Sequence, residues 1–210
     1  MVPPGIDEAE IRGLFEELRA GDRRALDLLL ARHRGYLLNA IELRMDRRMR
    51  SRIDPSDVVQ ETQLEAASRI QEYLDREPMP FHVWLRKTAQ ERLLRLRRQH
   101  VEADCRSVDW EIPLPDGSSI LLARKILSHE PDPGQQAAEL EMARHLRQAM
   151  AMLSDIDREI LLMRNFEGLS NKETAQVLGL EPAATSKRYG RAILKLRQLL
   201  LEAGLGDAVS

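Results

Sequence analysis

Residues 170–199, SNKETAQVLGLEPAATSKRYGRAILKLRQL, read as two helices around a sharp turn. Ser170 and Glu173 have capping-box spacing, in which a hydroxyl and a carboxylate satisfy the free N–H groups at a helix start. Ala175, Val177 and Leu178 give that helix an apolar face, and Gly179 suits the left-handed cap that ends it. Pro182 fits the first position of the next helix, where its missing N–H costs no hydrogen bond. Tyr189, Ala192, Ile193, Leu196 and Leu200 then recur at three- and four-residue steps, a stripe for burial. Lys187, Arg188, Arg191 and Lys195 fall on the other side with no acid among them. Ala183, Ala184, Thr185 and Ser186 are small enough for the first turn to approach a DNA groove, with two hydroxyls to offer. This is the plan of a helix-turn-helix DNA reader. An ordinary αα-hairpin with a solvated basic face has the same outline.

The whole chain narrows the choice. It has 210 residues, enough for one or two small domains, and a formal net charge of −2. Any contact with nucleic acid must therefore come from local basic clusters. The single Cys105 rules out an internal disulfide and offers no zinc-ligand spacing, so a reduced cytoplasm is expected, with no metal and no cofactor. No apolar run is long enough to span a bilayer, and the acidic start MVPPGIDEAE lacks a signal-peptide pattern; no membrane insertion is expected. Abundant Leu, Ala, Arg and Glu, few aromatics and almost no strand-like alternation predict an all-α fold.

Residues 6–20 carry Ile11, Leu14, Phe15 and Leu18 at helical spacing, with Gly21 after them. Asp22 can cap a longer helix through Leu29, Leu37 and Ile41, with a break expected near Gly35. Arg44, Arg47, Arg48, Arg50 and Arg52 follow, expected to be solvated, paired with acids or in contact with phosphate. The sequence DPSD at 54–57 starts a helix with a capping acid, a first-position proline and an acid in the first turn. One side of that helix (Val58, Thr62, Ala66, Ile70, Tyr73) suits burial, while Asp57, Gln60, Glu61 and Leu64 form another strip. An exposed leucine among acids and an amide is either plain surface or a docking site for a basic partner helix.

After Pro78 and Pro80 comes FHVWLRKTAQERLLRLRRQH, with Phe81, Trp84, Leu85, Thr88, Ala89, Leu93 and Leu96 as an inner stripe. Arg86, Lys87, Arg92, Arg95, Arg97 and Arg98 face only Glu91, the densest cationic segment in the chain and suited to phosphate. Trp84 stands at core spacing, which favours packing over base stacking. Prolines, glycines and serines dominate 101–136 around an apolar island at 120–127, able to form one helix. The expected organisation is a helical domain at 1–100, a flexible linker at 101–136 and a second helical domain at 137–204. The latter starts with a helix at 135–152, then one capped by Ser154 and Asp157, leading into the opening stretch.

DPSDVVQET in the first half and LSDIDREILLMRNFEGLSNKETAQVLGL in the second together resemble the sigma-70 family of bacterial RNA polymerase sigma factors, extracytoplasmic-function type. Wording such as ERLLRLRRQH is similar to a subgroup common in planctomycetes. The resemblance runs from about Leu18 to Leu201, and its two halves occur in the family's order. It implies a sigma domain 2-like bundle and a sigma domain 4-like helix-turn-helix domain, without the additional domain of housekeeping sigma factors. By the same resemblance, Asp57, Gln60, Glu61 and Leu64 would grip the clamp helices of the polymerase largest subunit. Trp84, Arg86, Lys87, Glu91, Arg92, Arg95 and Arg98 would melt and read the minus-ten element of promoter DNA. Thr185, Ser186, Lys187, Arg188 and Arg191 would read the minus-thirty-five element. An anti-sigma factor or a kinase would be the regulating partner. Glu91 and Arg95 stand where many relatives have asparagine and aspartate, and Ser186 where lysine is frequent, so no base preference is carried over.

Two other classes stand beside this one. A polymerase-independent helix-turn-helix regulator would account for residues 170–199 and leave the Asp57 strip without a use. An enzyme is not expected: His33, His82, His100, His129 and His145 are scattered, with no metalloprotease pair and no phosphate-cradling glycine loop.

Overall fold

The computed structural model describes residues 8–101, 113–127 and 136–205, and every regular element among them is an α-helix. Two compact units form. The first holds α1 (Glu8–Arg19), α2 (Arg23–Glu42), α3 (Arg47–Arg50), α4 (Pro55–Ser68), α5 (Ile70–Arg76) and α6 (Phe81–Val101). The second holds α7 (Asp116–Leu127), α8 (Gln136–Ala151), α9 (Asp155–Asn165), the start of α10 (Asn171–Leu178) and α11 (Pro182–Glu202). The all-α expectation holds. Cys105 and most of the stretch expected as linker lie outside the described residues.

In the first unit, α2, α4 and α6 pack pairwise and α1 lies on α2. Their facing stripes supply the core: Leu29, Leu37 and Ile41 from α2, Val58, Val59 and Ala66 from α4, Leu85, Ala89 and Leu93 from α6. Burying each large aliphatic side chain here contributes about 1.5–3 kcal/mol relative to leaving it in water. That is enough to carry α2 unbroken through Gly35, where a break was expected, since an interior glycine costs only about 1 kcal/mol. The segment from Pro55, expected as one helix, is instead divided at Arg69 (φ −109°, ψ 7°) into α4 and α5. Glu77 then takes the left-handed conformation (φ 37°) and turns the chain toward Pro80. The Tyr73 hydroxyl donates to the Met79 carbonyl at 3.0 Å and pins this turn. Burial pushes its phenol up to about 12, so it remains a neutral donor.

The end of α2 is held by arginines. Arg44 donates to the Ala40 carbonyl (2.6 Å), Arg50 to those of Met45 (2.9 Å) and Glu42 (2.8 Å), and Arg97 to that of Arg44 (2.9 Å). The last carbonyls of a helix lack intrahelical donors and carry the negative end of its dipole, so guanidinium groups satisfy both demands.

In the second unit, α7 packs on α8 and α11, and α11 also packs on α8 and α9. The island expected at 120–127 thus begins earlier, at Asp116, and is a working part of this unit rather than linker: Leu122, Ala123 and Ile126 are buried. Ion pairs Arg124–Glu139 and Arg147–Asp116 tie α7 to α8. Leu140 on α8 is half exposed. Ser154 caps α9 by accepting from Asp157 N–H (3.3 Å), while its hydroxyl donates to the Asp157 carboxylate (2.7 Å).

Candidate nucleic-acid and partner interfaces

Three surfaces gather the residues singled out in the sequence. The first is on α4. Asp54 accepts from Ser56 N–H (2.7 Å), Pro55 opens the helix and Asp57 stands in its first turn. With Val58, Val59, Thr62 and Ala66 turned inward, Asp57, Gln60, Glu61 and Leu64 share the exposed face. Leu64 is 64% exposed, a large apolar side chain in water between acids. Among the strip's members Glu61 has a partner across the bundle: Arg92 of α6 donates to its carboxylate.

The second surface is on α6, and the structure separates its candidates. Trp84 is buried, 4.8 Å from the Tyr73 ring and stacked on Phe81 at 5.7 Å, as its spacing foretold. Arg86 is fully buried and donates to Gln90 (3.0 Å), so the structure does not bring it to the surface with the other cations. The sequence misled here because Arg86 neighbours Leu85 on the inward edge, and a long guanidinium satisfied by an amide can lie inside. Lys87 is half-buried and Arg98 exposed. Glu91 lies 3.7 Å from Arg69, while Arg92 and Arg95 pair with Glu61 and Glu65. Between α5, the turn and α6 opens a cavity of about 200 Å³, lined among others by Arg69, Tyr73, Met79, Trp84, Lys87 and Glu91. Its lining combines ring edges, a lysine and a carboxylate–guanidinium pair. Sequence reading missed Arg69 and Met79, which only the tertiary turn places beside Trp84.

The third surface is the helix-turn-helix. Glu173 accepts from Ser170 N–H (2.7 Å) and Ser170 from Glu173 N–H (3.2 Å), the reciprocal capping box. Gly179 takes φ 65° at the turn, and Asn171 donates to the Pro182 carbonyl (2.8 Å), fixing α10 to the start of α11. Along α11, Ala192, Leu196 and Leu200 are buried, while Ser186, Lys187, Arg191 and Lys195 are exposed. Arg188 is half-buried and paired with Asp157 at 3.0 Å. Thr185 is fully buried and its hydroxyl donates to the Glu181 carbonyl (3.1 Å), so it is placed inward rather than with the exposed reading face. One turn before Tyr189, it falls on the edge of the stripe that packs inward. Tyr189 donates to Asn165 (3.2 Å) and lies under Arg164, 5.3 Å from its ring centre, which fixes the pitch of α11 on α9.

A capped helix, a left-handed glycine turn and a second helix with one buried and one cationic face define a helix-turn-helix DNA-binding unit, here joined to an α-helical bundle with a basic helix. Comparison with known proteins narrows that class. The sigma-70 region 4 model matches residues 143–196. The RNA polymerase sigma factor CnrH of Cupriavidus metallidurans is 32% identical over 195 residues, spanning 90% of this chain and 93% of that protein. The extracytoplasmic-function sigma factor SigD of Mycobacterium tuberculosis is 29% identical over 189 residues, 90% of this chain and 82% of its own. The solved structure of CnrH in complex with the cytosolic domain of CnrY superposes with a TM-score of 0.57 at 26% identity, covering 96% of this chain and 99% of that one. The chain belongs to the sigma-70 family of RNA polymerase sigma factors, in its extracytoplasmic-function group. Among the described residues no helix is long and apolar enough to cross a membrane.

Proposed function

We propose that this sigma factor grips core polymerase through α4 and promoter DNA through α6 and α11. The observation that carries the reading is the strip Asp57, Gln60, Glu61 and Leu64 on one exposed face of α4. An exposed leucine amid acids suits a partner helix that is apolar along its centre and basic at its rim. The clamp helices of the polymerase largest subunit are the partner that the family resemblance supplies. Lys87, Arg92, Arg95 and Arg98 meet the backbone around the minus-ten element, and the cavity beside Trp84 receives an unstacked base. Unstacking costs a few kcal/mol, which capture in such a pocket offsets. Ser186, Lys187 and Arg191, with Arg188 at the edge, meet the minus-thirty-five element. Held on one polymerase, two weak contacts act as one strong, spacing-dependent contact. Phosphate contacts set the register and base contacts specify.

The protein itself makes and breaks no bonds; catalysis belongs to the polymerase, in the cytoplasm. CnrH was solved with the cytosolic domain of CnrY, and a regulatory protein partner is proposed for this chain as well. Run-off transcription with purified core polymerase on fragments of the source genome tests the reading. New start sites with the protein added are expected; none above core alone, with the protein folded, would refute it. Replacing Asp57, Gln60 and Glu61 together by alanine is expected to abolish core binding with the helical signal intact. Unchanged core affinity would refute the α4 placement. A polymerase-independent regulator would instead shift DNA tightly by itself.

A further inference from the structure

The pairing of α4 with α6 links two surfaces that the proposed function treats separately. Glu61 and Glu65, one turn apart on α4, hold Arg92 and Arg95 of α6. Arg69, a further turn on, lies 3.7 Å from Glu91. Glu61 belongs to the exposed strip offered to polymerase, and Arg92 to the cations offered to DNA. We propose that the Glu61–Arg92 pair is an internal catch: while Glu61 is free of polymerase it occupies Arg92, and a basic partner that takes the Glu61 carboxylate releases Arg92 to phosphate. The inference rests on the interface reading given above.

The geometry supports an exchange rather than a permanent bond. The Glu61 side chain is 48% exposed and that of Arg92 29%, so both ends are reachable and the pair is of the weak, half-solvated kind. Only the outer nitrogen of Arg92 meets Glu61; its Nε is buried and has no acceptor among the described residues. A guanidinium with half of its fork unused gains by moving to an acceptor that takes two N–H groups at once, and phosphate does so. The Arg95 Nε is likewise without an acceptor, which makes Glu65–Arg95 a second rung of the same design. Because one carboxylate cannot fully serve two cations, polymerase and DNA each raise the affinity for the other, as linkage requires.

The test is the affinity of the full-length protein, without polymerase, for a fluorescent single-stranded oligonucleotide across a salt series. Glu61→Gln keeps size and removes the catch. One arginine added to the phosphate contacts steepens the salt dependence by about 0.7 in log–log slope, or about fivefold in affinity near 0.1 M salt. Asp27→Asn, an exposed acid on α2, makes the same charge change off α4 and α6. The expected result is a steeper slope for Glu61→Gln, none for Asp27→Asn, and loss of the gain in Glu61→Gln/Arg92→Ala. A slope for Glu61→Gln equal to that of Asp27→Asn would overturn the catch. Arg92→Ala in the holoenzyme separates the two readings. If it leaves promoter opening unchanged, the DNA role of Arg92 fails; if it impairs opening while Glu61→Gln leaves free DNA affinity unmoved, only the catch fails.

Discussion

Arg158→Ala should unfold the second unit far more readily than its position near a helix start suggests. The Arg158 side chain is nine-tenths buried and spreads its fork over the end of α8, donating to the carbonyls of Met150 (3.1 Å), Ala151 (3.1 Å) and Leu153 (2.9 Å). It also meets Asp155 at 3.0 Å, but that carboxylate is 77% exposed and adds little. Met150 and Leu153 are buried, whereas Ala151 is half-exposed and can turn to water. Truncation therefore strands the carbonyl of buried Leu153, while that of Met150 keeps the Leu153 N–H (3.3 Å), for a loss of about 1–3 kcal/mol. In a unit of this size that lowers the melting midpoint by about 4–12 °C, taking about 4 °C per kcal/mol. Urea titration of the full chain, followed by far-UV circular dichroism, measures the loss. Arg158→Lys should recover about half, since an ammonium lacks the planar fork. Arg158→Met, which keeps the apolar stem, should recover little. A loss below about 1 kcal/mol for alanine, or full stability for methionine, would refute the clasp.

Other outcomes follow from the same structure. Leu64→Ala should leave the melting temperature within about 1 °C yet weaken core polymerase binding about tenfold in a competition assay, as loss of a buried interface anchor does. Gly179→Ala meets nothing within 4 Å but must hold φ 65°, so it should cost about 1–2 kcal/mol in urea unfolding through backbone strain alone. Lys187→Ala should weaken promoter affinity uniformly and reduce the salt slope by about 1, whereas Thr185→Ser should leave the recognised sequence unchanged in a footprint. The buried His33 has its pKa lowered from 6.5, chiefly by desolvation and also by the nearby His82. Its Nδ1 contact to the Leu29 carbonyl (2.7 Å) opposes that shift. The folded state thus keeps His33 neutral while the unfolded chain takes up a proton below pH 6.5. Its contribution is complete above that pH and is lost as pH falls toward the folded value. Melting at pH 7.5 and pH 5.5 should show the drop, smaller in His33→Gln.

Local signals were legible because they depend on neighbours in sequence. Ser170 with Glu173, Ser154 with Asp157, Asp54 before Pro55 and Gly179 at a positive φ each state their geometry within four residues. The inner stripe of α6 was equally plain, since 3.6-residue periodicity fixes which face packs. What periodicity leaves open is the edge of that face. Thr185 and Arg86 sit on edges and went inward; Leu140 sits on one and stayed half in water. Pairings across long separations were also closed to sequence reading. Glu61 and Arg92 are 31 residues apart, and nothing local distinguishes Arg92 from its neighbours on the basic helix.

The arginines that close helix ends have a consequence for which changes this sequence can absorb. Arg44, Arg50, Arg97 and Arg158 reach main-chain carbonyls, and Arg50 and Arg158 each hold more than one. Among the described residues, the chain's five lysines, Lys87, Lys125, Lys172, Lys187 and Lys195, make no such contact; all but the half-buried Lys87 are exposed. Arginine at these four positions closes helices, a task that lysine takes up nowhere among the described residues. Among natural variants, exchange between them should be common on the outer face of α11 and rare at the ends of α2 and α8. A sequence with lysine at 158 would mark a helix end rebuilt some other way.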